Sequence, residues 1–371
     1  MKQRTYPYLD LIRGLAALAV FFGHARALFY VDYRPGCGWL ARLFYFSTGF
    51  GHQSVMVFFV LSGFFISRAI HTRWAANTWN WRDYLVSRLS RLWVVLLPAL
   101  MLTCLWDLVG SRFGLDRSIY VGTALAKINL GRTADRSSVL IFLGNAAFLQ
   151  SILVPPFGSD GPLWSLANEF WYYLIYPCLV CGWKQSRTNR AAALWFVLAV
   201  GMLVFVGRGI SLGFVIWLGG VLAYRISQML AHREHRFSRV WVLGSLGLLG
   251  VSLALTRAGC VTDDHADFLV GTGTIPLVTI LATNADGCGP WLARAAARLA
   301  DMSYSLYAVH LPLLICLSAF IVGNERWNLS FRTDLNWSFI CIVAFAYAYG
   351  VYWLFESRTD RFRKAIFTLI R

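Results

Sequence analysis

Long apolar runs recur along the whole chain, and no other feature constrains its fold as much. Eleven such runs lie near residues 9–29, 48–67, 92–110, 139–154, 163–183, 191–207, 210–228, 239–256, 267–284, 301–322 and 337–356. A hydrocarbon core about 30 Å thick needs about 20 predominantly apolar residues in one helix. Because helices satisfy their own backbone hydrogen bonds in lipid, runs of this length predict an all-α integral membrane protein. With 58% hydrophobic and 14% charged residues, a soluble domain is excluded.

The fourth run, at residues 139–154, is the weakest candidate for a transmembrane helix, since it is short and contains Asn145 and Gln150. If it does not cross and the N-terminus is cytoplasmic, most of the 34 Lys and Arg residues lie on the cytoplasmic side. If it crosses, the densest basic clusters face outward, against the positive-inside rule. The sequence therefore predicts about ten transmembrane helices and a short re-entrant or outer-surface helix near 139–154. The clusters are residues 184–190, 225–239 and 358–371.

This topology places both termini in the cytoplasm and suits a multi-pass protein of a bacterial inner membrane. We expect one membrane domain over residues 1–371, an extracytoplasmic loop at 111–162 and a basic cytoplasmic tail at 357–371. The net charge of +16 does not indicate nucleic-acid binding, because the basic residues are scattered through short loops. Cys178 and Cys181 have CxxC spacing without a second pair or a histidine cluster, so no metal site is expected.

The first run, within YLDLIRGLAALAVFFGHAR, carries Asp10, Arg13 and His24. A charge at mid-bilayer costs about 2.5–3.5 kcal/mol even on a lenient insertion scale. Arg13 and His24 are 11 residues apart, so they lie within about 20° of each other on one helix face. Asp10 lies one turn before Arg13 and can pair with it. Singly, Arg13 fits a snorkelling anchor and His24 a histidine bonded to a neighbouring helix; together they favour a polar path.

Two arginines at RxxR spacing, Arg88 and Arg91, stand in RLSRLW at the inner edge of the third run. Two guanidinium groups one helical turn apart suit a phosphate-bearing ligand on the cytoplasmic side. Considered alone, such arginines are more often plain anchors at the membrane edge.

The segment GPLWSLANEFWYYLIYP begins another run with Trp164 followed by three polar residues, Ser165, Asn168 and Glu169. A glutamate inside an aromatic run of this kind is hard to explain as a surface residue. Glu169 is therefore a candidate functional group.

Two further segments place polar residues inside apolar runs. MSYSLYAVHLPLL contains Ser305, Tyr307 and His310 in a run entered from the inside, so His310 is expected near mid-membrane. VFFVLSGFFIS contains Ser62 beside Gly63; this pair also fits the simple close approach of two helices.

Together these segments resemble the membrane-bound acyltransferase-3 family, whose members O-acylate sugars and other extracytoplasmic acceptors. The resemblance rests on six stretches in family order over nearly the whole chain: LDLIRGLAALAVFFGHA with its R-x10-H pair, FFVLSGFFIS, RLSR, FLGNAAFLQS, GPLWSLANEFWYYLIYP and SYSLYAVHLPL. In one departure, Glu169 is followed by Phe170, where many members carry two adjacent glutamates. A role for a second carboxylate is therefore not transferred.

The resemblance implies an O-acetyltransferase that modifies a surface polysaccharide or lipid-linked glycan, with acetyl-CoA or another acyl-CoA as donor substrate and no permanently bound cofactor. The expected partners are acyl-CoA, the carbohydrate acceptor and membrane lipid. Arg13, Arg88 and Arg91 supply cations on the side where polyanionic CoA is found. His24 is the expected general base, since histidine titrates near neutral pH; a covalent acyl-histidine is left open. Glu169 either orients His24 or binds the acceptor.

The remaining candidates are expected to support the site or to lie on its acceptor side. Three of them, Asn168, Ser305 and Tyr307, are possible donors to a tetrahedral oxyanion. The full supporting set is Asp10, Ser62, Trp164, Ser165, Asn168, Ser305, Tyr307 and His310.

A proton-coupled transporter without acyl-transfer chemistry is the main alternative, since intramembrane Arg, Glu and His also suit such a carrier. Against it, the sequence shows no paired inverted halves, and transport does not explain RxxR together with the five other segments. A non-catalytic assembly or receptor protein would leave the buried His and Glu without a role. The acceptor, the acyl chain and the oligomeric state stay open at this point.

Overall fold

The computed structural model describes residues 5–36, 38–123, 131–185, 191–284, 288–322 and 325–369. Helices account for all regular structure in these ranges, and only two isolated β-bridges occur there. The helices are α1 (Pro7–Phe29), α2 (Trp39–Ser47), α3 (Gly51–Ala75), α4 (Trp81–Phe113), α5 (Ser118–Val121), α6 (Val139–Ala146), α7 (Trp164–Gln185), α8 (Ala191–His232), α9 (Arg239–Arg257), α10 (Asp263–Thr283), α11 (Pro290–Asp301), α12 (Ser303–Ile321), α13 (Phe331–Leu354) and α14 (Thr359–Leu369). The all-α prediction is confirmed.

Eight segments of the described chain are long and apolar enough to cross a membrane. The sequence predicts about ten, and two features of the structure account for the difference. The α8 helix combines two predicted spans, which meet at a bend where Gly207 adopts φ 79° and ψ 179°. The α7 helix has 22 residues, enough to cross, but its polar and aromatic side chains lower its mean hydropathy, and it is not among the eight. The integral-membrane class is confirmed.

The predicted helix near 139–154 is shorter than expected. The α6 helix has 8 residues, or about 12 Å, which is far less than a hydrocarbon core. It ends before Phe148, which has a φ of 58°. Asn145 then holds the following turns: its amide donates to the carbonyl of Pro155, and its side-chain oxygen accepts from the backbone N–H of Phe157. Residues 147–154 therefore form turns rather than a helix.

The chain divides into two compact units. The first comprises Met1–Ala16, His52–Trp81 and Ser165–Ala300, and the second comprises Ala17–Gly51, Arg82–Trp164 and Asp301–Arg371. Of the predicted basic clusters, residues 186–190 and 370–371 lie outside the described part of the chain.

Close backbone packing of α3 against α8 organises the first unit. A Cβ atom on Gly63 would overlap the backbone oxygen of Trp217, and one on Gly220 would overlap that of Val60. Only glycine permits this approach, since every other residue carries a Cβ. Small residues at such crossings are characteristic of membrane helix pairs. The interpretation of the SGFF segment as a close helix contact is therefore confirmed for Gly63.

The second unit is centred on α12. In the most apolar stretch of this helix 78% is buried inside the protein, the highest fraction among the eight candidate spans. It packs against α13. Its polar residues thus lie in the interior of the protein, away from lipid.

Candidate active site

Two histidines of the second unit form a direct pair. His24 comes from α1 and His310 from α12, and the Nδ1 atom of His24 lies 2.8 Å from the Nε2 atom of His310. The ring planes differ by 16° and the centroids are 5.1 Å apart. A face-to-face stack would keep ring atoms about 3.5 Å apart or more. The rings therefore meet edge to edge, joined by an N–H···N hydrogen bond.

The backbone of α12 determines which nitrogen carries each proton. The Nδ1 atom of His310 lies 2.9 Å from the carbonyl oxygens of Leu306 and Tyr307. A carbonyl can only accept, so this Nδ1 is protonated and donates. His310 is fully buried, and a buried imidazolium without a counter-ion is costly, so its Nε2 carries a lone pair. His24 must then donate from Nδ1.

The consequence for His24 is a basic nitrogen available for chemistry. With its proton on Nδ1, a neutral imidazole has its lone pair on Nε2. His24 is half-buried, and among the described residues its one hydrogen bond is the bond to His310. The geometry thus presents an oriented base whose reactive atom is not used by the fold.

Aromatic packing holds the histidine pair in place. The ring of Phe21, one turn before His24 on α1, lies edge-on to His310 at 6.0 Å, and the ring of Tyr307 lies 6.3 Å away. The Tyr307 hydroxyl donates to the carbonyl of Pro162 at 3.0 Å. Ser305 donates through its hydroxyl to Glu356 at 2.6 Å. Both hydroxyl protons are used inside the protein in this arrangement.

At the other end of α1, Asp10 and Arg13 form the expected ion pair at 3.2 Å. The Arg13 guanidinium also lies 5.8 Å from the ring centroid of Phe65. Both partners are partly exposed, which leaves the guanidinium accessible to a ligand. The α1 helix is continuous from Pro7 to Phe29. The helical spacing that predicts a common face for Arg13 and His24 therefore applies to it.

The WSLANE segment forms the start of α7. Trp164 is half-buried, Ser165 and Asn168 are buried, and Glu169 is half-buried. The side-chain oxygen of Asn168 has no hydrogen-bond partner among the described residues. Glu169 likewise has no hydrogen bond or ion pair within the described ranges. A polar group without a protein partner at such a position is suited to bind a ligand.

Arg88 and Arg91 lie on the first turns of α4. Arg88 is half-buried over the ring of Tyr84, at 5.9 Å, and Arg91 is exposed. Arg88 and Arg91 thus place two guanidinium groups one helical turn apart, a spacing that suits a phosphate-bearing ligand.

Ser62 takes part in a hydrogen-bond network within the first unit. It accepts a hydrogen bond from the indole N–H of Trp217 at 3.1 Å and lies 3.4 Å from the hydroxyl of Tyr173. This network ties α3 to α7 and α8.

One carboxylate cluster was not singled out from the sequence. Asp107 of α4 accepts from the backbone N–H of Ser159 at 2.8 Å and from its hydroxyl. Asp160 is fully buried next to it. Burial, and secondarily the charge of Asp107, raise the pKa of Asp160 well above its usual range, while a hydrogen bond from Thr103 opposes the shift. The cluster fastens the loop before α7 to α4. The local sequence SDGP at residues 159–162 does not predict this contact.

A basic cavity of about 510 Å³ is a second feature that sequence reasoning missed. It lies in the first unit, between the ends of α3, α7 and α8. Lys184 and Arg225 line it together with His71 and His232, and none of the described residues that line it is acidic. His71 is held by the hydroxyl of Tyr176 at 2.9 Å. Two cations with two imidazole groups around one cavity can bind a phosphate-bearing ligand.

Comparison with known families agrees with the site chemistry. Residues 6–355, nearly the whole chain, match the family model described as an acyltransferase domain. No curated protein and no solved structure matches the chain. The match confirms the resemblance that the six sequence segments indicated.

Proposed function

We propose that this chain, which belongs to the acyltransferase-3 family, transfers an acetyl group from cytoplasmic acetyl-CoA to a hydroxyl of an extracytoplasmic or lipid-linked carbohydrate. Membership makes it a membrane acyltransferase; donor, acceptor and orientation are part of the proposal. The observation that carries it is the His24–His310 pair, because it leaves a neutral, oriented base at Nε2 of His24.

In this mechanism Nε2 of His24 takes the proton of the acceptor hydroxyl as its oxygen attacks the thioester carbonyl. A C–O bond forms, the C–S bond breaks, and the thiolate of CoA leaves with a proton returned by the imidazolium. The products are the acetyl ester and CoA. An oriented general base typically contributes about 10²–10⁴-fold to such a step.

Glu169 is proposed as an acceptor ligand. The sequence left two roles open for Glu169, orienting His24 or binding the acceptor. The acceptor role is proposed because the Nδ1 atom of His24, through which the ring would be oriented, is already bonded to His310. A half-buried carboxylate with no partner in the described structure is suited to accept hydrogen bonds from sugar hydroxyls. Asn168, one residue earlier, offers an unpaired amide oxygen for the same purpose.

The phosphates of the donor have two candidate binding places. One is the RxxR pair, Arg88 and Arg91; the other is the basic cavity around Lys184 and Arg225. Arg13 is proposed separately as a further donor-binding cation. The proposed orientation, with both termini in the cytoplasm, puts all of them on the side where acyl-CoA is found.

The direct test uses membranes from a strain with and without the gene, incubated with radiolabelled acetyl-CoA. The proposal expects label in the glycan fraction only when the protein is present, and loss of an acyl group from surface glycans of the deletion strain. A transporter without chemistry would leave both measurements unchanged.

A further inference from the structure

A second cavity lies in the same unit as the histidine pair, and no role has been assigned to it so far. Its volume is about 520 Å³, within the range of roughly 300–1,000 Å³ typical of small-molecule sites. The end of α1, the α2 helix and the first turns of α13 enclose it. Its walls combine aromatic rings with one carboxylate, which is the usual composition of a site for a polar, ring-shaped ligand.

The aromatic wall is a packed cluster. The ring of Trp337 lies 5.4 Å from that of Phe44 and 6.0 Å from that of Tyr30. Tyr30 is fully buried behind the other two, which are half-buried. Rings fixed by their neighbours lose little entropy on binding, and the C–H face of a sugar ring packs well against such flat apolar surfaces.

The polar part of the cavity is Asp334. One carboxylate oxygen accepts from the Tyr30 hydroxyl at 2.6 Å, which fixes the orientation of the group. Its other oxygen has no partner among the described residues, and the side chain is exposed to the cavity. A carboxylate held in this way can accept hydrogen bonds from two neighbouring hydroxyls of a sugar.

The cavity lies close to His24 along α1. Tyr30 follows His24 by six residues, which corresponds to about 9 Å along a helix axis. The ring of Phe22, two residues before His24, packs on Trp337 at 5.7 Å. A ligand that contacts Tyr30 and Trp337 therefore lies beside the base rather than directly on it.

The rim of the cavity is apolar and exposed. Leu40 of α2 and Phe331 of α13 line it, and both side chains are largely accessible. The α2 helix exposes further large apolar residues, among them Trp39 and Leu43. Such side chains are typical of the boundary between lipid headgroups and acyl chains, so the cavity faces the membrane interface.

The geometry points to a carbohydrate subsite: this cavity binds the sugar residue next to the one whose hydroxyl is acylated. The inference rests on the proposed function and adds to it the place and chemistry of acceptor recognition. The sugar can belong to a lipid-linked glycan or to a free polymer, and the two sources share the same ring and hydroxyl chemistry.

The test compares two variants of the full-length protein in membranes supplied with radiolabelled acetyl-CoA. Asp334→Asn removes the charge but keeps an oxygen for the Tyr30 hydroxyl, and Trp337→Leu removes the flat wall. Phe339→Leu, an exposed aromatic residue on the same helix outside the cavity, is the matched control. Label is measured separately in the lipid-extractable and aqueous glycan fractions, which distinguishes the two sources of sugar.

We expect both cavity variants to lower glycan labelling about tenfold or more, the loss typical of one charge-assisted hydrogen bond or one stacking wall. The KM for acetyl-CoA should stay within about twofold of wild type, as expected when only acceptor binding is impaired. Unchanged labelling in both variants, or a rise in donor KM parallel to the loss of labelling, overturns the subsite. Absence of label with the wild-type protein instead refutes the proposed function, and the subsite with it.

Discussion

Replacing His310 tests whether it positions His24 or merely packs beside it. The bond between the two rings is 2.8 Å long and is partly buried. In His310→Leu the N–H of His24 loses its acceptor, and leaving a buried donor unpaired costs about 1–3 kcal/mol. His24 escapes this cost by turning its ring or by moving its proton to Nε2, and either change removes the basic atom from its position.

The size of the effect follows from that cost. If the oriented tautomer is disfavoured by about 1–3 kcal/mol, kcat falls about 5- to 150-fold. His310→Gln is the informative partner, because the Gln side-chain oxygen lies near the former Nε2 and accepts the same proton. This variant should keep kcat within about threefold of wild type, since the hydrogen bond is preserved.

The assay is the initial rate of acetyl transfer in membranes, at saturating acetyl-CoA and at several pH values. His52, which pairs with Asp267 at 2.9 Å in the other unit, supplies a control through His52→Leu, for which the rate should not change. A fully active His310→Leu variant, or a Gln variant as inactive as the Leu variant with normal expression of both, would refute the positioning role.

Three further predictions concern the donor, the fold and the topology. Replacing either arginine of the RxxR pair by Ala should raise the KM for acyl-CoA about tenfold through loss of a charge-assisted hydrogen bond; the effect should appear in Arg225→Ala instead if the basic cavity binds the phosphates. Gly63→Ala should strongly reduce the amount of folded protein, because the new Cβ atom would overlap the backbone of α8. Gly209→Ala should not affect folding, because there is open space around Gly209. Comparable melting temperatures for the two purified variants would contradict this prediction. In a cysteine-depleted protein, a cysteine near Asp264 should react with an impermeant thiol reagent from outside, and one near His232 should not; the reverse labelling would invert the proposed orientation.

Sequence patterns were sufficient to predict where helices lie and which side chains pair within one helix. The first apolar run, at 9–29, corresponds to α1 at Pro7–Phe29, and the run at 239–256 to α9 at Arg239–Arg257. The Asp10–Arg13 ion pair followed from helical spacing alone. Apolar length and residue spacing carry this information, because they depend only on neighbours along the chain.

Contacts between distant segments could not be predicted in the same way. His24 and His310 are separated by 286 positions, and both lie on helices that are apolar on most sides. The sequence of such a helix does not specify which face meets which neighbour. The fastening of Asp107 to Ser159 depends likewise on packing that no local pattern records.

The central claim is that His24 takes the proton of the acceptor, and the most direct measurement is acetyl transfer by His24→Gln. Gln keeps a hydrogen-bonding amide of similar reach but cannot accept a proton at neutral pH. The account predicts that this variant loses about 10²–10⁴-fold in kcat, as for removal of a general base. A Gln variant that retains most of the wild-type rate would contradict the account.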